Sequence, residues 1–446
     1  MTFKNETVLV QNGSTVELKK KRKDILDLLA ASIHTVNPYR SVGSCFKEGS
    51  IILPEGSISL KDFSKIYIVA FGKASIGMTK GVIDQIKITK GIVITNNDSL
   101  MIKEDNIQTF YGSHPLPNQD SVKATKMIEE LLTSLSKNDL LIVLISGGGS
   151  ALLCHPRISL SNMRKTTLQL LQSGATIQEL NTIRKHLSYV KGGQLIKGVK
   201  GRVISFIISD VVNDPVEFIA SGPTAGDKTT FKNAYDIFQK YQLWDTIPKS
   251  TQAIISKGIQ KDIPETPDAS DPLFQRVTNL IVANNSYACE TILLKAKSLG
   301  YHPFIFSTSL QGEARDTAKK IIQEFLSYKN KGIYDLFIVG GETTVTVRGN
   351  GKGGRNQEMV LASLEYLQKH NLVFASFGTD GIDGMSHAAG AIADGNTLSR
   401  AKTLNMDSLR FLKNNDSNTF FQKLQDEIIT GKTGTNVMDI QILISY

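Results

Sequence analysis

Short uninterrupted apolar runs recur along the chain, each followed by a polar or glycine-rich break and then by helical spacing. Residues 66–71, 91–95, 140–145 and 203–208 read as buried strands, and 107–110 as a weaker one. A second series begins at 280–285 and continues through 303–306, 336–339, 372–377 and the terminal 440–444. Strands apolar on both faces and alternating with helices indicate a parallel sheet covered on both sides. The expected class is therefore α/β, with ligands bound beyond the carboxyl ends of the strands. Each early strand ends in polar punctuation: Gly72-Lys73, Ser146-Gly147-Gly148-Gly149 and Ser209-Asp210. That coincidence favours one shared cleft.

Between the two series, residues 228 to about 275 are charged and helical, with Pro248, Pro264, Pro267 and Pro272. The domain change is expected here, giving a Rossmann-like first domain over 1–270 and a smaller mixed-sheet α/β domain over 271–446, with an interdomain cleft. The last strand either stays in the second domain or returns to the first. Residues 1 to about 20 are polar and read as a loose extension. A helical segment follows to about residue 36, where Asn37-Pro38-Tyr39 stops it.

The length of 446 residues exceeds one ordinary core, which agrees with two domains. The net charge of +9 suits anionic partners but is diffuse. Its one dense cluster, Lys19-Lys20-Lys21-Arg22-Lys23, reads as the solvated entry of a helix, because no aromatic-interleaved basic stripe accompanies it. Cys45, Cys154 and Cys289 lie far apart, so neither a zinc site nor a disulfide framework is indicated. No signal-peptide core and no membrane-length apolar run is present. The expectation is a cytoplasmic protein with no membrane and no nucleic-acid partner; a homodimer is compatible with the sequence.

Candidate chemistry gathers at the strand ends. Ser146, Gly147, Gly148, Gly149 and Ser150 stand between a strand and a helix, where successive N–H groups can cradle an anion. They form neither a Walker A sequence nor a G-x-S-x-G elbow, and no dinucleotide fingerprint follows the first strand. Gly431-Lys432-Thr433 lacks the opening glycine of a Walker A motif. Lys73 follows a glycine at the first strand end. Arg184, Lys185, His186 and Lys191 form a second basic group, which helical spacing alone reads as a solvated face. Asp210, Asn213 and Asp214 offer hard oxygen ligands suited to Mg²⁺, with turn and cap chemistry as the competing explanation; Asp380 and Asp383 are similarly placed. The glycine-rich stretch 340–358 carries Glu342, Arg348, Lys352, Arg355 and Asn356 and ends in a helix opening at Arg355 or Asn356. It reads equally as an anion site and as a turn that needs glycines. Glycine cradles, cations and carboxylates at strand ends are what phosphoryl transfer requires. The residues alone reach an enzyme acting on phosphorylated or carboxylated small molecules.

Taken together, several blocks resemble the glycerate 2-kinases: Phe71-Gly72-Lys73-Ala74, Ile145-Ser146-Gly147-Gly148-Gly149-Ser150, Asn181-Thr182-Ile183-Arg184-Lys185-His186, Ser209-Asp210-Val211, Ile219-Ala220-Ser221-Gly222-Pro223-Thr224, Gly340-Gly341-Glu342, Gly353-Gly354-Arg355-Asn356-Gln357-Glu358, Thr379-Asp380-Gly381-Ile382-Asp383-Gly384 and Thr433-Gly434-Thr435-Asn436-Val437. The resemblance runs from about residue 24 to the end. It implies ATP- and Mg²⁺-dependent phosphorylation of D-glycerate to 2-phosphoglycerate, with a C-terminal domain of the MOFRL type. It also implies that Lys73 and Arg355 serve the glycerate carboxylate and the transferring phosphoryl group. By the same resemblance the 146–150 turn, Lys185, Glu342 and Asn356 contact substrate or nucleotide. Asp210 is the general base or a metal ligand, with Asp214 and Asp380 as further metal ligands. Ser113-His114-Pro115 departs from the family, whose members more often carry a glycine before the histidine. The rivals are a nicotinamide-dependent hydroxypyruvate reductase, which would need the missing fingerprint, and a non-catalytic anion binder.

Overall fold

The computed structural model describes residues 3–446, which divide into two compact units. A central unit comprises Pro38–Val282; a terminal unit joins the residues up to Asn37 with Ala283–Tyr446. The strands of the central unit are β1 (Phe46–Lys47), β2 (Ser50–Leu53), β3 (Gly56–Ser59), β4 (Ile66–Phe71), β5 (Lys90–Thr95), β6 (Ile107–Tyr111), β7 (Leu140–Ile145), β8 (Arg202–Ile208) and β9 (Val277–Ala283). The first three form a small antiparallel meander. The other six form one sheet in the order β6-β5-β4-β7-β8-β9, with β4 to β8 parallel throughout.

Every residue of β7 is buried, as expected for the middle strand of a sheet covered on both faces. Val69, Phe71, Val143, Ile145, Val203 and Ile207 line one of its cores. A separate helical cluster is built on Leu160–Gln172, Ile177–His186, Phe231–Lys240 and Lys249–Ile259. The helix Ile177–His186 opens with a full capping box between Thr176 and Glu179.

The terminal unit carries β10 (Pro303–Leu310), β11 (Leu336–Gly341), β12 (Leu372–Gly378), β13 (Gly390–Asp394), β14 (Glu427–Ile428) and β15 (Asp439–Ser445). Their order is β10-β11-β15-β12-β13-β14, parallel only between β10 and β11, so this is the mixed sheet.

Two details differ from the sequence analysis and one open alternative is resolved. The run at 280–285 belongs to β9 at the edge of the first sheet and does not begin the second set. The terminal strand β15 sits inside the second sheet, antiparallel to both β11 and β12. The polar N-terminus is not a loose extension. It forms the helices Glu6–Gln11 and Val16–Thr35, the second capped by Thr15, and these belong to the terminal unit. Buried Leu9, Leu18, Ile25, Leu28 and Leu29 explain why: at helical spacing they form an apolar face that a polar average hides.

Candidate active site

In the central unit the turns after β4 and β7 are stitched together. Lys73 N donates to Gly147 O at 2.9 Å, Ser146 N to Phe71 O at 3.2 Å, and Ala74 N to Ser146 Oγ at 3.1 Å. The approach is so close that a Cβ on Gly72, whose φ is +124°, would lie 2.1 Å from Ser146 Oγ. A Cβ on Gly147 would lie 2.0 Å from Asp210 Oδ2, which brings the turn after β8 to the same spot. Ser146, Gly147, Gly148, Gly149, Ser150, Lys73 and Asp210 therefore form one cluster at the carboxyl ends of adjacent parallel strands. The loop is fastened from behind as well. Ser150 Oγ lies 2.8 Å from Ser221 Oγ, which donates to Asn181 Oδ1 at 2.9 Å. Ala220 and Ser221 adopt left-handed backbone, at φ of 51° and 65°, in the turn that reaches this chain of hydroxyls.

Electrostatics couple the cluster. Burial pushes the Asp210 carboxyl up, while the Lys73 ammonium pulls it back. Burial and the same ammonium both lower His114, so its imidazole is neutral at pH 7. His114 follows β6 and lies against Gly148: a Cβ on that glycine would be 3.0 Å from His114 Cδ2 and 3.3 Å from Lys73 Cγ. In the sequence, Ser113-His114-Pro115 stood out only as a departure from the family, with no role given to His114. Its position just past a strand end is the signal that would have singled out His114.

The second basic group is not a solvated face. Lys185 is 2 % exposed and its Nζ lies 3.2 Å from Asp227 Oδ1, while His186 is buried with Nδ1 against Thr182 O at 2.8 Å. Lys191 is equally buried. The helix ends at His186, so Lys191 does not share its face, and the helix itself is covered by Phe231 and its neighbours.

In the terminal unit, Arg355 opens the helix Arg355–His370. Its guanidinium forks onto Asp439, Nε to Oδ2 at 2.5 Å and Nη2 to Oδ1 at 3.0 Å, and Nη2 also lies 3.0 Å from Glu342 Oε1. Asn356 Nδ2 donates to Asp439 Oδ1 at 3.0 Å. Asp383 caps the helix, accepting from Asn356 N at 3.0 Å and Gln357 N at 2.8 Å. Burial raises Asp383 to about 7 against those two donors, and neighbouring Asp439 adds to the rise. Asp380 accepts from Ile382 N at 3.0 Å and lies close enough to Asp439 to raise it further. Arg355 is thus embedded among carboxylates, with its own ionisation pushed up by Asp439 and Glu342 against burial.

Of the two readings of the 340–358 stretch, the turn accounts for the glycines. The N–H groups of Arg348 and Gly349 donate to Asn415 Oδ1, that of Asn350 to Asn414 Oδ1 and that of Lys352 to Asp416 Oδ1. Side chains at Gly351 and Gly353 would collide with Asp416 and Ser417. These amides serve the protein's own chain, and Arg348 and Lys352 are exposed. Among the described residues no three His, Cys, Asp or Glu gather into a group able to hold a metal ion unaided. No helix is long and apolar enough to cross a membrane.

A family model described as a domain of unknown function, DUF4147, matches residues 24–256, and the MOFRL family model matches 335–439. The glycerate 2-kinase of Pyrococcus horikoshii is 38% identical over 429 residues, covering 94% of this chain and 96% of that protein. The D-glycerate 2-kinase of Thermotoga maritima is 35% identical, covering 94% and 97%. A crystal structure of a glycerate kinase from Thermotoga maritima superposes with a TM-score of 0.86 at 34% identity, covering 96% of this chain and all of the other. Sequence likeness at this level, spanning both units and shared with the same fold, shows that the chain belongs to the glycerate 2-kinase family.

Proposed function

We propose that this chain transfers the γ-phosphoryl group of ATP to the 2-hydroxyl of D-glycerate, releasing ADP and 2-phosphoglycerate. The observation that carries the proposal is the convergence of Lys73, the 146–150 loop and Asp210 at the ends of β4, β7 and β8, in a chain collinear with D-glycerate 2-kinases.

In the reaction the O2–P bond forms as the bond from the γ-phosphorus to the β,γ-bridging oxygen breaks. Positioning and charge neutralisation do most of the work. Asp210 accepts the hydroxyl proton; burial has already raised its affinity for one. Lys73 and Arg355 neutralise the glycerate carboxylate and the transferring phosphoryl group. The N–H groups of the 146–150 loop hold anionic oxygens. Lys185, Glu342 and Asn356 contribute by fixing their surroundings, Lys185 through Asp227 and the other two through Arg355 and Asp439.

Mg²⁺ takes few protein carboxylates and completes its shell with phosphate and water. The hard oxygens of Asp210 and Asp214, in one turn of the central unit, fit that requirement without a preformed cage. Asp210 and Asp214 would hold the ion, which would supply charge neutralisation on the phosphates when bound. The three cysteines are free, in keeping with a cytoplasmic enzyme.

An ADP-release assay coupled to identification of the phosphoglycerate isomer tests the reading. Turnover is expected only with D-glycerate and Mg²⁺ both present. Lys73→Ala and Arg355→Ala should each lose roughly two or more orders of magnitude in rate. Wild-type turnover in both variants, or oxidation of NADH by hydroxypyruvate in place of ADP release, would overturn it.

A further inference from the structure

Beneath the 146–150 loop lies a positive charge with no counter-ion. The Lys191 side chain is buried at 2 % exposure, and its Nζ donates to Ser150 O at 2.7 Å and Leu153 O at 3.0 Å. The first carbonyl belongs to the short helix Gly149–Leu152 that continues the glycine loop, and the second to the residue that ends it. Cys154 N, the donor that would ordinarily reach back to Ser150 O, goes instead to Thr125 Oγ1 at 2.9 Å. The backbone after Lys191 is pinned to the left-handed turn, Gly192 N to Ser221 O at 3.0 Å and Gly193 N to Gly222 O at 2.8 Å. Lys191 therefore ties the loop, the helix end and the Ser221 turn into one support.

Its neighbour Lys185, also buried, is paired with Asp227. Lys191 is not: among the described residues neither it nor half-buried Arg184 forms an ion pair with a carboxylate. A buried ammonium that lacks an opposite charge is strongly disfavoured unless a partner arrives. Such groups concentrate at functional sites.

We infer that Lys191 is a positioning residue for the 146–150 loop and that its counter-charge is the anionic group the loop binds, a phosphate or a carboxylate. The identity of the anion rests on the kinase reading; the role of Lys191 rests on the geometry alone. Burial holds the free ammonium down at about 8, with the Cys154 thiol opposing and Arg184 adding to the fall. The thiol is itself pushed up by burial, with Lys191, Arg184 and Arg164 opposing. A bound anion favours the protonated amine, so affinity is full below pH 8 and declines as the pH rises through it.

The test uses the full chain and the variants Lys191→Met and Lys191→Arg. Binding of ADP with Mg²⁺ and of D-glycerate is measured separately by calorimetry at pH 7 and pH 9, alongside KM, kcat and the melting temperature. Lys191→Met should weaken one of the two ligands roughly ten- to hundredfold at pH 7. It should also abolish the loss of affinity between pH 7 and 9 that the wild type shows, while Lys191→Arg keeps part of the affinity. Weakened ADP identifies the anion as phosphate; weakened D-glycerate identifies it as carboxylate. A lowered melting temperature with both affinities within twofold of wild type would make Lys191 merely structural and overturn the inference. If Lys191→Met does not fold, pH-independent binding of both ligands by the wild type between pH 7 and 9 overturns it equally. Binding that behaves as expected without turnover would count against the kinase reading and not against Lys191.

Discussion

Asp383 does two jobs that pull in opposite directions. Its carboxylate closes the first turn of the helix Arg355–His370, yet it is fully buried and adjoins a second carboxylate, Asp439. With burial dominant, its ionisation moves from 3.8 up to about 7. The sign of the linkage follows. A carboxyl raised on folding holds more protons in the native state, so its stabilising contribution is complete below about pH 4 and is lost as the pH rises to about 7. Asp383→Asn removes the titration and keeps an acceptor oxygen for the cap. Urea unfolding of the two proteins from pH 4 to 8 should therefore show a stability difference that shifts against the wild type up to about pH 7 and is flat above it. A difference constant with pH would sink the argument. The positions of single residues were legible where local context marks them: Lys73 and the 146–150 turn stand just past strand ends, and Arg355 opens a helix. Asp439 escaped because its partner Arg355 is 84 positions away, a separation no spacing rule encodes. Lys191 was named but read as solvated, because helical spacing was carried past His186, where the helix ends and the chain turns inward.

Among the elements, strand identity came through best. The apolar runs at 66–71 and 140–145 coincide with β4 and β7, because strands covered on both faces leave nothing polar to confuse the pattern. The short β13 and β14 and the meander β1–β3 escaped, being brief or half-exposed and lacking a long apolar signature. The basic run 19–23 was half legible. Lys20 and Lys23 are solvent-facing, as expected, but Arg22 is wholly buried and joins three segments. Its Nε lies 2.6 Å from Asp394 Oδ2, its Nη1 lies 2.8 Å from Asp426 Oδ1 and also donates to Leu9 O, and Arg400 closes the network on Asp426 at 2.8 Å. Removing one partner of a buried pair strands the other charge in low dielectric, whereas an exposed pair separated by four residues contributes little. Arg22→Met should therefore cost about 3–5 kcal/mol in denaturant unfolding, and Lys23→Ala no more than about 0.5 kcal/mol. Equal losses from the two would show that the charges in this run share one environment, contrary to the structure.

For the molecule as a whole, chain order and spatial order disagree, and that disagreement sets how each unit can fold. The central unit is one continuous stretch, Pro38–Val282, with its own sheet and cores. The terminal unit is discontinuous: its C-terminal sheet is completed by helices contributed from the opposite end of the chain. Seven apolar side chains on those helices, Leu9, Leu18, Ile25, Leu26, Leu28, Leu29 and Ile33, are buried. At roughly 1.5–3 kcal/mol each their burial is on the order of 10 kcal/mol, comparable to the whole stability of an ordinary domain. The buried charges of Asp394 and Asp426 also lose Arg22 if the helices are absent. Residues 38–282 expressed alone should accordingly show a single cooperative thermal transition by circular dichroism. Residues 283–446 alone should lack one and regain it when residues 1–37 are supplied as a separate peptide. A cooperative melt of 283–446 that the peptide leaves unchanged would mean the helices merely decorate a unit already complete without them.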